Sequence, residues 1–380
     1  MSNLLNIKDL VVRFYTYEGV VKAIEGVNLD VKEGEILGIV GETGCGKTVT
    51  GLSIVRLIPP PGKIEGGTIF FKGKNGLVNL LRIDESALKE IRGRDISLIF
   101  QEPSSALNPV FTVGEQISEV FMQHRRKEII EKVLEEIEKD IQKASGRLHI
   151  KVLRLQRKIY RKMLEKPNSI SLRIVSKIPI VRRYQRRLKA ILRKETIRML
   201  KETGIPDPEK VVDMYPHELS GGMQQRVVIA MALACNPKLL IADEPTTSLD
   251  VTVQAQILHL IRDLRKKFKS SILFITHDLG VIAELCDRVA VMYAGNICEI
   301  ADVEELFKRP LHPYTRALLE SIPRPGKELK SIPGTVPNLI SPPSGCRFHP
   351  RCPYIMQICS KVKPEMKQVT ENHFVACHLY

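Results

Sequence analysis

The 380-residue sequence predicts an α/β fold built around a mainly parallel sheet. Two observations carry this prediction. From residue 219 to residue 276, helical and strand patterns alternate along the chain, and such alternation favours parallel strands with helices on both faces. Near the N-terminus, the apolar run at residues 35–40 has the pattern of a buried strand, and a glycine-rich loop leads from it into a helical stretch that reaches about residue 57.

The other predicted elements follow from periodicity. Residues 4–12 and 23–31 alternate between apolar and polar side chains and are rich in Val and Ile, which predicts two strands. Six prolines at 321–345 indicate a linker to a small C-terminal unit. The remaining predicted strands are residues 96–100, 238–243 and 271–276. The remaining predicted helices are residues 126–143, 147–166, 182–202, 222–235 and 252–267.

The formal net charge of +15 is concentrated in one segment. Residues 124–198 contain 24 Lys and Arg but 8 Asp and Glu, whereas the rest of the chain is close to neutral. Such a basic segment predicts an anionic partner: phosphate ligands, lipid head groups or nucleic acid. No apolar run approaches the roughly 20 residues of a spanning helix, and the N-terminus has no signal-peptide pattern. We therefore expect a cytosolic chain that can sit on a membrane.

Residues 41–48 read Gly-Glu-Thr-Gly-Cys-Gly-Lys-Thr and fit the phosphate-binding pattern G-x-x-x-x-G-K-[ST]. Glycines let successive N–H groups face phosphate oxygens, and the next helix presents its positive N-terminus. Lys47 is expected to reach the β and γ phosphates, and Thr48 to ligate Mg²⁺. A chance match is the alternative, but the strand before the loop and the helix after it argue against chance. The predicted ATP contacts in this stretch are Gly41, Thr43, Gly44, Cys45, Gly46, Lys47 and Thr48.

The apolar strand at residues 238–243 ends in two carboxylates, Asp243 and Glu244. In ATPases that use such a loop, the first carboxylate holds Mg²⁺ and the second polarises the attacking water as a general base. Alone, this pattern usually indicates only the end of a strand. Its occurrence together with the phosphate-binding loop favours the catalytic interpretation.

Residues 219–226 read Leu-Ser-Gly-Gly-Met-Gln-Gln-Arg, a second helix start with free N–H groups for an anion. One nucleotide does not need two such helices from one chain, so we expect a partner subunit to present this one to the γ-phosphate. The stretch resembles the ATP-binding cassette (ABC) signature L-S-G-G-x-Q. The resemblance covers nearly the whole chain, because the motifs occur in the family's order. The signature positions are Ser220, Gly221, Gly222 and Gln224.

The resemblance implies roles for three residues that follow predicted strands or loops. Gln101 matches the family residue that senses Mg²⁺ and faces the membrane partner. Asp250, in the Ser-Leu-Asp stretch at 248–250, matches the loop that crosses the dimer interface. His277 matches the switch histidine that contacts the γ-phosphate. With Glu244, Gln101 and His277 form the expected catalytic set, and Thr48, Gln101 and Asp243 the expected Mg²⁺ set.

The resemblance also implies the architecture. It predicts an ABC cassette at residues 1–320, with a RecA-like parallel-sheet core, an N-terminal antiparallel β part and a helical subdomain at about 102–235. Phe14 lies where the family stacks an aromatic ring on adenine, and Tyr15 and Tyr17 are alternatives.

The C-terminal part of the sequence narrows the resemblance to one group of ABC ATPase subunits. Residues 311–319, Leu-His-Pro-Tyr-Thr-Arg-Ala-Leu-Leu, look like the C-terminal motif of ATPase subunits of oligopeptide, dipeptide and nickel importers. Residues 346–380 are cysteine-rich, and in a reducing cytosol this predicts metal binding before disulfides. The resemblance favours a [4Fe–4S] cluster, with Zn²⁺ or no metal as alternatives and His349, His373 and His378 as other candidate ligands. The predicted cluster ligands are Cys346, Cys352, Cys359 and Cys377.

The basic insertion, at about residues 140–190, is the part that the resemblance explains least. One interpretation is a pair of solvated helices. A second is contact with anionic lipid head groups, where each nearby basic residue contributes about 1 kcal/mol. Nucleic-acid binding is disfavoured, because Tyr160 and Tyr184 are the only aromatic residues there for stacking on bases.

The resemblance implies an ATP- and Mg²⁺-dependent ATPase subunit of an ABC importer for di- or oligopeptides or a related solute. It would work at the cytoplasmic face of the cell membrane as a peripheral subunit. The implied partners are a second ABC ATPase subunit, two permease subunits and an extracellular solute-binding protein. A soluble ABC ATPase acting on nucleic acid or the ribosome is the alternative, and an exporter cassette is disfavoured by the C-terminal motif.

Overall fold

The computed structural model describes residues 2–73, 76–165, 185–247, 249–322 and 331–380. The chain divides into two units: Met1–Gln101 with Asn236–Tyr380, and Glu102–Cys235. The strands are β1 (Asn3–Thr16), β2 (Gly19–Lys32), β3 (Ile36–Val40), β4 (Gly62–Gly73), β5 (Gly76–Asn79), β6 (Ile96–Ile99), β7 (Leu239–Asp243), β8 (Ser271–Thr276), β9 (Arg288–Tyr293), β10 (Asn296–Asp302), β11 (Lys367–Thr370) and β12 (His373–Val375).

Helices are distributed over both units. In chain order they are α1 (Lys47–Ile54), α2 (Glu85–Ile91), α3 (Pro103–Ala106), α4 (Val113–His124), α5 (Arg126–Lys143), α6 (Arg147–Glu165), α7 (Gln185–Glu202), α8 (Pro208–Val211), α9 (Gly221–Leu233), α10 (Val251–Phe268), α11 (Leu279–Leu285), α12 (Val303–Lys308) and α13 (Pro313–Glu320). Short 3₁₀ helices occur at Pro216–Glu218, His349–Arg351 and Gln357–Ser360.

Two sheets form the first unit. The N-terminal sheet is antiparallel with the order β2-β1-β4-β5, and the larger sheet has the order β11-β12-β10-β9-β3-β8-β7-β6. In the larger sheet β9, β3, β8, β7 and β6 are parallel, while β10, β11 and β12 are antiparallel additions. Every residue of β3, β7, β8 and β9 is buried, as expected for parallel strands covered on both faces. The predicted mainly parallel sheet is confirmed.

The second unit, described by itself, consists of helices among its described residues. A capping box starts α4, because Thr112 Oγ1 accepts a hydrogen bond from Glu115 N and Glu115 Oε2 accepts one from Thr112 N. Four apolar residues of α5, Ile129, Ile130, Val133 and Ile137, are buried, and α5 packs against α6 and α7. Acidic side chains of α5 pair with basic ones of the following helices. These pairs include Glu138 with Arg157, and Asp140 with Arg187.

Most predicted elements occur close to their predicted bounds. Helix α5 spans the predicted residues 126–143, and β8 spans the predicted residues 271–276. Helix α1 ends at Ile54 and not near residue 57, because Arg56 adopts a left-handed conformation (φ 52°) that turns the chain before the prolines. Of the predicted basic insertion, residues 166–184 lie outside the described residues, as do residues 323–330 of the predicted linker.

The described part of the C-terminal segment packs on the first unit. Strand β12 pairs with β10, and the buried carboxylate of Glu299 on β10 accepts hydrogen bonds from Leu311 N (2.7 Å), His312 N (2.9 Å) and His373 Nε2 (2.7 Å). Glu299 therefore holds both the start of α13 and strand β12 against the main sheet.

Among the residues that the structure describes, no helix is both long enough and apolar enough to cross a bilayer.

We expect the stability of the first unit to depend on pH through His312. Its Nδ1 accepts a hydrogen bond from Tyr314 N and caps α13 (3.0 Å), and burial lowers the pKa of His312 to about 4. Since the unfolded chain takes up this proton near pH 6.5, the free energy of unfolding falls as pH drops from about 6.5 to 4, by about 3 kcal/mol from this group. In denaturant titrations at several pH values, the free energy of unfolding of His312→Asn should fall less with decreasing pH than that of the wild type.

The exposed His259 supplies the control, as His259→Asn also removes one histidine. Equal pH dependence of unfolding in His312→Asn and wild type would contradict the role of His312.

Candidate functional site

The phosphate-binding loop runs from the end of β3 to the start of α1, and glycine is required at two of its positions. A Cβ atom on Gly41 would lie 2.1 Å from the carbonyl oxygen of Met292. Gly46 has a φ of +106°, and a Cβ there would lie 2.8 Å from the carbonyl oxygen of Ala23. Any larger residue would have to displace backbone atoms of the neighbouring strands. The loop therefore takes its shape from close contact with the sheet.

Lys47 folds back over this loop. Its side chain is buried, and Nζ donates hydrogen bonds to the carbonyl oxygens of Gly41 (2.8 Å) and Glu42 (3.2 Å). Thr43 and Gly44 are exposed at the loop tip. Cys45 is buried, and burial raises the pKa of its thiol to about 11, so it remains a neutral packing residue. Lys47 is thus held by neutral carbonyl groups, which a phosphate can replace.

Thr48 and Asp243 meet at the start of α1 and the end of β7. Thr48 Oγ1 donates a hydrogen bond to Asp243 Oδ1 (3.1 Å). Burial raises the pKa of Asp243 to about 6, and the nearby Glu244 carboxylate adds to this shift. A buried carboxylate and a hydroxyl are the hard oxygen ligands that Mg²⁺ takes beside a nucleotide. Burial disfavours the charged carboxylate, and the coulombic effect of Lys47, which favours it, is smaller.

Glu244 is the centre of a hydrogen-bonded cluster. Its carboxylate accepts hydrogen bonds from Gln101 Nε2 (3.2 Å), Thr247 Oγ1 (3.1 Å) and His277 Nδ1 (3.2 Å). Glu244 has a positive φ of 45°, and its N–H bonds to the carbonyl oxygen of Ile275 (2.9 Å). A left-handed non-glycine residue costs about 1–3 kcal/mol and is found at functional sites. This conformation aims the carboxylate away from the strand and towards the exposed side chains of Gln101 and His277.

The three aromatic candidates for adenine stacking have different surroundings. Phe14 is half-buried, and a Cβ on Gly62 would lie 2.6 Å from its ring, so the ring packs closely on the backbone there. The Tyr15 hydroxyl donates a hydrogen bond to Glu65, while Tyr17 is fully exposed. Stacking of Phe14 on adenine stays a prediction.

The signature stretch lies in the second unit at the start of α9. Ser220 is the N-cap, and its Oγ accepts a hydrogen bond from Met223 N (3.4 Å). Ser220 and Gly221 are exposed, and Gly222 is half-buried. Gln224 turns back, with Nε2 donating to the carbonyl oxygens of Pro216 (2.9 Å) and Leu219 (3.3 Å). The helix start is therefore open to solvent.

Asp250 caps a different helix, in the first unit. It is the N-cap of α10, and Oδ1 accepts a hydrogen bond from Val253 N (2.9 Å). Its side chain is exposed. Ser248, two residues before it, lies outside the described residues. The expected role of Asp250 at a dimer interface stays a prediction.

Sequence reasoning missed two sets of contacts. Thr247, which binds the Glu244 carboxylate, lies only three residues after it and could have been suspected from its position. Glu42 in the loop is held by two residues that are far away along the chain. Its N–H donates to the Tyr314 hydroxyl (3.0 Å), and its carboxylate accepts two hydrogen bonds from Arg351 (2.8 and 3.1 Å). No sequence pattern signals the contact with Arg351.

The predicted [4Fe–4S] cluster is wrong, and so is the zinc alternative. Cys346, Cys352, Cys359 and Cys377 all border one small cavity. Across the described residues, however, no group of three or more His, Cys, Asp or Glu side chains is placed to hold a metal ion. Burial raises the pKa of Cys346 to about 11 and also raises that of Cys352 and Cys377.

The candidate histidine ligands are also engaged elsewhere. His349 Nδ1 lies 2.9 Å from the carbonyl oxygen of Cys346, and His378 Nε2 lies 2.9 Å from that of Val362. His373 forms the buried pair with Glu299. The spacing of the cysteines indicated proximity correctly, but proximity of buried thiols packs a small core and does not make a metal centre.

Comparison with known families gives two matches along the chain. The family described as "ABC transporter" matches residues 24–247, which is more than half of the chain. The family described as "Oligopeptide/dipeptide transporter, C-terminal region" matches residues 298–359.

Curated relatives match over almost the full length. A probable peptide ABC transporter ATP-binding protein of Sinorhizobium fredii is 45% identical over 98% of this chain and 94% of its own length. A dipeptide transport ATP-binding protein of Bacillus subtilis is 42% identical, covering 100% of this chain and 95% of its own length. An oligopeptide transport ATP-binding protein of the same organism is 44% identical, with 99% and 88% covered.

Solved structures support the fold. A bacterial ABC transporter cassette with 23% identity covers 79% of this chain and 98% of its own, with a TM-score of 0.54. At this identity the likeness bears on the fold alone, and it confirms the predicted cassette architecture with its antiparallel N-terminal sheet.

The buried Asp243 provides a test of the site without any ligand. At pH 7 the folded protein must hold a charged carboxylate whose pKa is raised from 3.8 to about 6. The destabilisation grows as pH rises from about 4 to 6 and is then constant, so Asp243→Asn should raise the free energy of unfolding at pH 7 by about 3 kcal/mol. Denaturant titration in EDTA measures this gain, which should shrink at pH 5.

The exposed Asp263 is the matched control, since Asp263→Asn removes a carboxylate without changing a buried charge. A gain for Asp263→Asn as large as that for Asp243→Asn would contradict the explanation by burial.

Proposed function

Because this chain belongs to the ABC transporter family of ATP-binding proteins, we propose that it hydrolyses ATP to energise the uptake of di- or oligopeptides or a related solute. The carrying observation is the geometry around Glu244, whose carboxylate is held by Gln101 and His277 beside the phosphate-binding loop. The full-length match to peptide transport ATP-binding proteins supports peptides as the solute class.

The residues of the site fit a magnesium nucleotide. A bound Mg²⁺ would neutralise negative charge that develops during phosphoryl transfer. Thr48 and Asp243 would hold the ion, with Gln101 nearby, while Lys47 would leave its two carbonyl partners for the phosphates. Phe14 is proposed to stack on adenine. The loop backbone already has its turn before a nucleotide arrives, which reduces the cost of binding.

Glu244 is proposed to orient and deprotonate the attacking water. A general base must point at the water whose proton it accepts, and three donors from separate segments limit the rotation of this carboxylate. His277 adjoins the same carboxylate, so a contact between His277 and the γ-phosphate would couple nucleotide binding to the position of the base.

We further propose that the active form is a dimer, with a second copy or a related ABC ATPase. The exposed helix start at Ser220 and Gly221 presents free N–H groups outwards, and such groups bind anions. In the dimer the partner's signature helix would complete each site, and Asp250 would lie at the interface. Two permease subunits and an extracellular solute-binding protein would complete the importer, with this chain as a peripheral subunit on the cytoplasmic face of the membrane.

Import is favoured over export and over action on nucleic acid or ribosomes. The match of residues 298–359 to the oligopeptide/dipeptide transporter C-terminal region supports it. The described part of that region belongs to the first unit, where Glu299 on β10 accepts a hydrogen bond from Leu311 N (2.7 Å).

We also propose that the basic insertion contacts anionic lipid. Helix α6 exposes three apolar side chains at helical spacing: Leu148 (80%), Val152 (48%) and Leu155 (54%). The basic side chains of Lys151, Arg154 and Lys158 on the same helix are also exposed. A basic helix with an exposed apolar stripe is suited to the surface of an anionic bilayer.

Substitution of the proposed general base tests the ATPase. Glu244→Gln should lower phosphate release by at least about 100-fold, because an amide cannot accept the proton, while ATP binding persists. Size-exclusion chromatography with ATP should then show an enlarged dimer fraction. Glu371→Gln, at an exposed C-terminal position, is the control.

Retention of full ATPase activity in Glu244→Gln would contradict the role of Glu244. Recovery of the trapped protein with ribosomes or nucleic acid, and not with membranes that carry the co-expressed permeases, would contradict import.

A charge-removal variant tests the lipid contact. The triple change Lys151→Gln, Arg154→Gln and Lys158→Gln should weaken co-sedimentation with phosphatidylglycerol-containing vesicles by at least about tenfold, since each basic residue near such a surface contributes about 1 kcal/mol. The exposed lysines Lys8, Lys89 and Lys361 give a control triple with the same loss of charge. Equal vesicle binding by the two triples would leave α6 as a solvated helix.

A further inference from the structure

A side chain from the cysteine-rich C-terminal segment reaches into the phosphate-binding loop. Arg351 closes a short 3₁₀ helix, and its guanidinium donates to both carboxylate oxygens of Glu42, at 2.8 and 3.1 Å. Glu42 is the second residue of the loop. A bidentate arginine–carboxylate pair is among the stronger polar contacts in proteins and fixes orientation as well as distance.

Arg351 is itself held in place. Its Nε donates to the carbonyl oxygen of Pro333 (2.8 Å), and Nη1 lies 3.2 Å from the Tyr293 hydroxyl. The guanidinium also lies over the rings of Tyr293 (5.7 Å) and Phe348 (5.9 Å). Arg351 is 9% exposed. It is therefore a fixed donor and not a mobile surface side chain.

Glu42 is the point where several loop contacts meet. Its carbonyl oxygen accepts hydrogen bonds from Lys47 Nζ (3.2 Å) and Cys45 N (3.3 Å). Its N–H donates to the hydroxyl of Tyr314, on α13 (3.0 Å). A rotation of the Glu42 peptide units would move the partners of Lys47 and the backbone N–H groups that follow. Contacts that fix the side chain of Glu42 therefore also restrict the conformation of the loop.

We propose that Arg351 is a positioning residue of the nucleotide site: by fixing Glu42 it sets the conformation of the phosphate-binding loop, so that docking of the C-terminal segment raises the affinity for ATP. The inference rests on the proposed function, because it presumes that the loop binds ATP. It assigns the C-terminal segment a part in nucleotide binding, since the segment supplies both Arg351 and the backbone that orients it.

Arg347, a second arginine of the C-terminal segment, provides a control for the effect of docking this segment without a contact to Glu42. Arg347 is equally buried, at 9% exposure, and also pairs with an acid of the N-terminal part, Glu25 (3.4 Å). Glu25 belongs to β2 and not to the phosphate-binding loop. Arg347 therefore contributes to docking of the same segment, and it serves as a matched control.

Equilibrium binding of a fluorescent methylanthraniloyl-ATP to the full chain tests the proposal. Arg351→Gln should raise the Kd for the nucleotide by about tenfold, which is within the range of measured coupling between sites. The kcat for ATP hydrolysis should change by less than about twofold, because the substitution weakens binding of the ground state and of the transition state equally. Arg351→Lys should recover part of the affinity, as it keeps the charge but not the bidentate geometry. Arg347→Gln should leave the Kd unchanged even where it lowers the Tm.

A double-mutant cycle makes the assignment specific. Glu42→Gln should raise the Kd as Arg351→Gln does, and the double variant should bind no more weakly than either single one, since both act through one contact. If Arg351→Gln does not fold, Glu42→Gln decides the question. An unchanged Kd in Glu42→Gln, additive effects in the double variant, or an equal loss in Arg347→Gln would overturn the proposal.

Lys47→Ala separates this proposal from the function on which it rests. If Lys47→Ala abolishes nucleotide binding and Arg351→Gln binds as the wild type does, the proposed ATPase function is supported and the role of Arg351 is contradicted. Absence of nucleotide binding in the wild type would overturn the proposed function itself.

Discussion

The close approach of the phosphate-binding loop to the end of β9 is the constraint on which the nucleotide site depends. Parallel pairing brings Val40 beside Val291, and the chain must then turn so near Met292 that only glycine fits at position 41. On the far side of the loop, Gly295 N donates to the carbonyl oxygen of Cys45 (2.8 Å). The loop is thereby formed by the sheet itself, and its backbone donors are oriented without help from a ligand.

The two carboxylates after β7 differ because their surroundings differ. Asp243 is buried at the strand end, has a hydroxyl as neighbour and carries a raised pKa. Glu244 leaves the strand in a left-handed conformation and meets donors from three other positions. This difference supports the proposal that Asp243 receives a cation and Glu244 a proton. The strained backbone at Glu244 is compensated by its hydrogen bond to Ile275.

The structure of the C-terminal segment differs from the metal centre that its sequence predicted. Its cysteines suggested a metal centre that would hold a tail too small to form a core. The described residues instead join the main sheet through β12 and bury Phe348 against Tyr293 and Tyr314. The positive charge of the chain lies elsewhere, in the second unit, where the acids of α5 neutralise part of it.

Strands β4, β5 and β9 to β12 have no counterpart among the strands predicted from the sequence. What the sequence by itself determined was the order of the nucleotide motifs and elements such as β3, α5 and β8. These depend on local properties: the apolar period of α5, the buried run of β3, and the glycines and the lysine of the loop. Only the tertiary structure decided that Glu42 is held by Arg351, 309 positions away, and that the four C-terminal cysteines, although they border one cavity, form no metal-holding group among the described residues. Both depend on burial and on the relative placement of distant segments. Spacing along a chain carries no information about either, because the same spacing is compatible with many packings.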